Sequence, residues 1–267
     1  MIAAIVTLAA TGFTAGLGLM YASKKFKVDK DERIEKINEM LPAANCGGCG
    51  YPGCMALAEA IVKGKASPDA CPVGGSELTN QIASFMGMEV STGVKKVARV
   101  CCNGGNENGI VKYDYYGPKD CNSVTLLAGG LKVCTYSCVG EGSCIKSCAF
   151  DAMYMGDDNI PRIRPDKCTS CGKCVTACPR KLIKLIDEDK PFIVSCMSKD
   201  KGPDVKKACK VGCIGCKMCE KKCPVGVIDV DNFLAVIDPS GCTNCGTCEE
   251  VCPTNAIRNF HNIKIKL

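Results

Sequence analysis

Three times in its C-terminal half this chain repeats one run, Cys-x2-Cys-x2-Cys-x3-Cys-Pro. The copies are Cys168, Cys171, Cys174, Cys178-Pro179; Cys213, Cys216, Cys219, Cys223-Pro224; and Cys242, Cys245, Cys248, Cys252-Pro253. Three thiols at i, i+3 and i+6 fit three corners of one iron-sulfur cubane. Zinc sites use separated pairs of ligands instead, so the repeated triple argues against zinc. The composition agrees: 25 cysteines among 267 residues, no Trp and 5% aromatic residues leave little large apolar side chain for a conventional core. Something other than packing must hold the chain together. The single histidine, His261, excludes histidine-based metal sites, and the lack of Cys-x-x-Cys-His excludes covalent haem. An odd cysteine count argues against complete disulfide pairing.

This run is the bacterial ferredoxin spacing for [4Fe-4S], in which the cysteine before proline ligates the other cluster of a two-cluster unit. A variant precedes the three copies: Cys134, Cys138, Cys144 and Cys148 read C-x3-C-x5-C-x3-C, with Ala149 in place of proline. After Cys148 and after Cys223 come two short β-type runs around an Asp/Asn turn, Ala152-Met-Tyr-Met and Val227-Ile-Asp-Val being their openings. The chain therefore contains an internal repeat of about 75 residues, each copy a two-cluster ferredoxin unit. Crossed ligation assigns Cys134, Cys138, Cys144 and Cys178 to one cluster and Cys148, Cys168, Cys171 and Cys174 to the next. In the second copy the sets are Cys213, Cys216, Cys219 with Cys252, and Cys223 with Cys242, Cys245, Cys248.

A further set, Cys46, Cys49, Cys54 and Cys71, stands upstream as C-x2-C-x4-C-x16-C. Its first three members lie in a Gly-rich loop that can wrap closely around a bulky inorganic core. The residues after Cys54 read as a helix, Met55 to Lys63, whose positive end would face an anionic cluster. Local spacing favours iron-sulfur here, although one zinc ion would also accept four thiolates. Twenty cysteines then account for five clusters. Cys101, Cys102, Cys121, Cys196 and Cys209 remain, flanking the first ferredoxin repeat. Either Cys102, Cys121, Cys196 and Cys209 converge on a sixth metal site, or they are free thiols packed as small hydrophobes. The adjacent Cys101-Cys102 pair can hardly supply two ligands to one cluster.

The compartment is read from the other end. Met1 to Ala22 carry no charged side chain, long enough for a membrane-spanning helix. Lys24, Lys25 and Lys27 follow it, the reverse of a secretory signal, so the remainder is expected on the cytoplasmic side of the cell membrane, where thiols stay reduced. Gly12 and Gly16 form a small-xxx-small pair on which another helix can pack. Lys24 to Glu39 is densely charged, with Ile34, Ile37 and Leu41 at near-helical spacing, and reads as a short amphipathic spacer.

Clusters held by four cysteines have no open coordination position, so the chemistry expected is one-electron transfer without a substrate site. No strand-to-helix G-x-G-x-x-G is present, which moves nicotinamide or flavin chemistry to a partner. The formal charge of +6 does not point to nucleic acid: five oxidised cubanes at about −2 each bring the total to roughly −4. Lys181, Lys184, Lys206, Lys207, Lys221 and Lys222 remain available as a docking patch for an acidic electron carrier, or as an ordinary solvated face.

A charge-free N-terminal helix, Cys46-Gly-Gly-Cys-Gly-Tyr-Pro-Gly-Cys54 with Cys71-Pro72, and ferredoxin repeats including Gly212-Cys-Ile-Gly-Cys216 together resemble the B-subunit family of the Rnf complex over essentially the whole length. The resemblance implies a component of a ferredoxin:NAD+ oxidoreductase coupled to Na+ or H+ translocation. It would take electrons from soluble reduced ferredoxin and hand them to other membrane subunits. A membrane-anchored polyferredoxin serving another complex, such as one reducing a redox-sensing regulator, would keep the same clusters. A metal-buffering protein would carry irregular cysteine pairs instead. The expected architecture is α+β: transmembrane helix 1–22, charged linker 23–42, N-terminal [4Fe-4S] domain 43–92, connecting segment 93–133, first two-cluster ferredoxin domain 134–189, connecting segment 190–212, and second ferredoxin domain 213–267.

Overall fold

A computed structural model describes residues 2–25, 31–88 and 94–262. Helix α1 runs Ile2–Lys25, over the segment expected to span a bilayer. Among the described residues, however, no helix is long and apolar enough to cross a membrane. Gly12 and Gly16 face open space. The spacer forms α2, Glu32–Met40, which starts at Asp31, whose carboxylate accepts the Arg33 N–H at 3.0 Å and so satisfies a donor the first turn leaves unpaired.

Helix α3, Cys54–Val62, begins where the cysteine loop ends, and α4, Gly75–Met86, closes on Gly87, whose φ of 66° supplies the left-handed turn of a helix C-terminus. Ile37 and Leu41 meet Leu57, Ile61 and Ile82 in one small core that also contains Cys71. Each fully buried Leu or Ile contributes about 1.5–3 kcal/mol, so three short helices gain enough to dock around the cysteine loop.

The rest is two copies of one unit. In the first, β1 (Lys96–Val100) leads into α5 (Cys121–Leu126) and α6 (Ser143–Lys146), then the hairpin β2 (Met153–Met155) and β3 (Pro161–Ile163), then α7 (Lys173–Ala177) and β4 (Ile183–Asp187). β1 pairs antiparallel with β4, Ala98 opposite Leu185, while β2 pairs with β3. The second copy runs β5 (Phe192–Val194), α8 (Gly202–Ala208), α9 (Met218–Lys222), β6 (Ile228–Asp231), β7 (Leu234–Ile237), α10 (Thr247–Glu250) and β8 (Ile257–Asn259). Here too the outer strands pair, β5 with β8, and the inner ones form a hairpin, β6 with β7.

Both hairpins fall on the two β-type runs that align in the sequence. The outer strands β1 and β5, by contrast, lie in the segments 93–133 and 190–212, which the sequence pattern presents as connectors. Their partners are some 90 and 65 residues away by the pairings Val97↔Ile186 and Ile193↔Arg258, a separation no local pattern records. Each unit has its own core. Val97, Val100, Met153, Ile160, Leu182 and Ile183 enclose Cys144 and Cys174 in the first, and Val194, Ile228, Leu234 and Ile257 enclose Cys213, Cys219 and Cys248 in the second.

Candidate metal centres

The four cysteine runs share a backbone template. Left-handed residues stand on either side of the second ligand position: Ser170 and Gly172 around Cys171, Gly215 and Lys217 around Cys216, Asn244 and Gly246 around Cys245. A third follows each run, Lys181, Gly226 and Asn255. The variant run has the same three at Gly140, Gly142 and Asp151. Its second position is therefore residue 141, which is Glu, and Cys138 and Cys144 take the first and third. Left-handed backbone is uncommon outside glycine, so its recurrence at matching places identifies equivalent loops that turn their side chains toward a shared centre. Each short helix starts at the left-handed residue: α6 after Gly142, α7 after Gly172, α9 after Lys217 and α10 after Gly246.

The thiols gather in sets. One small cavity is lined by Cys148, Cys168, Cys171 and Cys174, the set that crossed ligation assigns. Burial pushes the Cys174 thiol up to about 11, and the neighbouring Cys168, Cys171 and Cys148 push in the same direction. In the second unit burial pushes Cys219 up to about 11, with Cys213, Cys252 and Cys216 beside it, and Cys248 likewise to about 11, with Cys242 and Cys245 beside it. Cys71 is raised by burial and by Cys49 and Cys54 around it. Among the described residues no three Cys, His, Asp or Glu side chains close to the spacing of a single metal ion; in the first unit the thiols ring two small cavities. Four sulfur donors around a small apolar cavity fit a [4Fe-4S] cluster, whose charge is spread over several atoms and whose ligands are thiolates.

Backbone N–H groups aim at several sulfurs. Leu182 donates to Cys178 Sγ at 3.5 Å and Ala256 to Cys252 Sγ at 3.2 Å, the same i+4 bond in both units, and Ala98 of β1 donates to Cys168 Sγ at 3.5 Å. Such donors favour the anionic sulfur and tune the potential of what it holds. Cys245 is the reverse of the buried thiols: it is exposed, and donation from the Thr247 hydroxyl lowers it from its ordinary value.

The N-terminal loop is held by Asn45, whose side-chain Oδ1 accepts the Cys54 N–H at 2.9 Å at the start of α3. It docks on the first ferredoxin unit. Cys46, Gly47, Gly48 and Gly50 form one wall of a cavity whose other wall includes Cys171 and Gly172. A Cβ on Gly48 would stand 2.8 Å from the Cys171 carbonyl oxygen, so only glycine permits this approach.

The remaining cysteines do not scatter. Cys121 lines a cavity together with Cys138, Cys144 and Cys178, and Cys134 is not among the lining residues. Cys102 belongs to the core of the first ferredoxin unit, Cys196 packs against that of the second, and the sulfurs of Cys102 and Cys209 both approach Gly104. Cys101 is buried, and burial pushes it up to about 11.

Known proteins resemble this chain along its length. The family model described as "Putative Fe-S cluster" matches residues 41–73, two 4Fe-4S binding domain models match 135–151 and 160–183, and the 4Fe-4S dicluster domain model matches 212–256. The B subunit of the ion-translocating oxidoreductase complex of Methanosarcina acetivorans is 46% identical over 89% of this chain and 90% of its own length. The chain belongs to the B-subunit family of ion-translocating oxidoreductase complexes. The family includes an Acetobacterium woodii protein named for a Na+-translocating ferredoxin:NAD+ oxidoreductase complex, 44% identical over 85% of this chain and 68% of its own length. It also includes a Clostridium ljungdahlii protein named for a proton-translocating one, 40% identical over 88% and 84%. Relatives named for two different ions thus share comparable identity with this member of the family.

Proposed function

We propose that this chain is the electron-relay component of a membrane-bound ferredoxin:NAD+ oxidoreductase coupled to Na+ or H+ translocation. In this reading it accepts electrons from soluble reduced ferredoxin and has no substrate site of its own. Bound [4Fe-4S] clusters supply one-electron carriers that stay coordinated throughout. The protein's part is to ligate, insulate and order them. Cys46, Cys49, Cys54 and Cys71 hold one; Cys148, Cys168, Cys171 and Cys174 a second; Cys213, Cys216, Cys219 and Cys252 a third; Cys223, Cys242, Cys245 and Cys248 a fourth; the remaining thiols of the first unit hold a fifth. Residues 1–22 anchor the chain in the cell membrane beside the other subunits, with the bulk on the cytoplasmic side.

The observation that carries the direction is exposure. Cys216 and Cys245 are the exposed cysteines, and both sit in the C-terminal unit. Lys221 and Lys222 at the end of α9 are exposed nearby. An acidic carrier docking on that end comes closest to ligand sulfur, while the Cys46 loop at the other end is tied toward α1. The test is to add reduced ferredoxin, or NADH, to the anaerobically purified chain and follow EPR. Ferredoxin should elicit the reduced-cluster signals and NADH should not. Direct reduction by NADH would overturn the reading.

A further inference from the structure

We infer that this chain holds a sixth [4Fe-4S] site formed by Cys102, Cys134, Cys196 and Cys209 at the junction of the two ferredoxin units, with Cys121 taking the place of Cys134 in the first unit. The inference rests on the iron-sulfur reading above and redistributes its ligands.

The exchange follows from Glu141. The backbone template places residue 141 at the second ligand position, where the other three runs have cysteine. The cavity of that run is lined by Cys138, Cys144 and Cys178, and its fourth thiol is Cys121. Cys121 is the first residue of α5 and is fixed there from both sides. Its N–H donates to Ser143 Oγ at 2.9 Å, and the Ser143 hydroxyl donates to Asp120 Oδ1 at 2.9 Å. Ser143 is within the run itself, next to Cys144. Cys134 lies four residues before the first ligand position, outside the template.

Cys134 has other company. Gly104 carries two sulfurs against its Cα: a Cβ there would stand 3.1 Å from Cys209 Sγ and 3.8 Å from Cys102 Sγ. Cys134 follows Val133 and Cys196 follows Ser195, and backbone bonds bring both segments to the loop of Cys102 and Cys209. Backbone bonds lock these four segments together: Asn103 N–H to Ser195 O at 3.1 Å, Ile110 N–H to Ala208 O at 3.1 Å, and Val133 N–H to Ile110 O at 2.8 Å. The buried Lys132 donates to Gly104 O at 2.7 Å and puts a positive charge beside the thiols. Four thiols from four segments, closely walled and faced by a cation, make a site for an anionic cluster.

The arithmetic closes as well. Six sets of four use 24 of the 25 cysteines and leave Cys101, whose neighbour Cys102 is a ligand. The site also bridges the two units. Cys102 Sγ accepts the N–H of Cys138 from the first, and Cys196 packs against the core of the second, which contains Cys213. Without it, the two ferredoxin units would be joined by protein alone.

The experiment is iron and acid-labile sulfide analysis, with EPR, of the full chain purified anaerobically. Six sites give about 24 iron atoms per chain and five give about 20. Cys209→Ala and Cys134→Ala should each lose about four iron atoms or convert one cluster to a three-iron form visible in the oxidised state, whereas Cys101→Ala should keep the full count. Cys121→Ala should damage the cluster held by Cys138, Cys144 and Cys178. Adding Glu141→Cys to it should restore that cluster, and Glu141→Ala alone should leave it intact. The unsubstituted count and the rescue pair decide the matter even where a variant folds poorly. About 20 iron atoms, unchanged in Cys209→Ala, would overturn the sixth site; a normal spectrum in Cys121→Ala would overturn the exchange. Absence of iron and sulfide from the chain would overturn the iron-sulfur reading itself.

Discussion

The backbone N–H of Cys138 points at Cys102 Sγ, 3.4 Å away across 36 residues of sequence. One residue belongs to a ferredoxin run and the other to the strand-loop segment before it, so the loop after β1 packs into the ferredoxin unit rather than merely leading to it. The same loop continues to Gly104, against which Cys209 also rests.

Lys132 tests that wiring electrostatically. Its ammonium is buried, bonded to the Gly104 carbonyl, and lowers both Cys138 and Cys209 against the burial that raises them. A unit charge several ångströms away at an effective dielectric of about 20 is worth roughly 2 kcal/mol. Lys132→Met should therefore lower the potentials of the clusters held by Cys138 and by Cys209 by on the order of 50–100 mV at unchanged iron content. An EPR-monitored redox titration reads this directly, and an unchanged set of midpoints would refute it.

Gly48 tests the docking of the N-terminal loop. Gly48→Ala brings a methyl group against the Cys171 carbonyl oxygen, and neither backbone can yield cheaply. The loop should move off the first ferredoxin unit, with all clusters retained and electron exchange between the Cys46 set and the Cys148 set slowed at least severalfold, as read by freeze-quench EPR.

Ligation fixes the sign of a pH effect at Cys138 and Cys144, whose thiols burial alone would keep protonated, pushed up to about 12. When they ligate, they hold no proton; in the unfolded, cluster-free chain each holds one below about 9. The unfolded state thus binds more protons, and the stability of the loaded protein falls as pH drops from about 9. Cluster loss at a fixed urea concentration should be faster at about pH 6 than at about pH 8, and pH-independent bleaching would contradict this.

What the sequence discloses is what is local. The three Cys-Pro runs, the Gly-rich loop, α3 and both hairpins are legible because ligand spacing, helix period and strand alternation are short-range. The strands β1 and β5 and the thiols of Cys102, Cys121, Cys196 and Cys209 are brought in by pairings tens of residues apart. Glu141 is the one local clue to the exchange proposed above: read at Cys-x2 intervals from Cys138, it stands where the other three runs have cysteine. Taking Cys134 to Cys148 as one irregular run hides that. The expectation for residues 1–22 rests on charge and length alone.

The order of the relay is tested by blocking its two ends in the intact membrane complex. Cys54→Ala removes a ligand at the N-terminal set and Cys245→Ala one at the exposed C-terminal set, and both variants are first checked for their remaining clusters by iron content. Cluster-resolved EPR is then recorded after mixing with reduced ferredoxin. With entry at the C-terminal unit, Cys54→Ala leaves the C-terminal clusters fully reducible while onward reduction of the other subunits stops, and Cys245→Ala slows reduction of every cluster by at least tenfold. Onward transfer at the normal rate in Cys54→Ala, or normal reduction in Cys245→Ala, would contradict it.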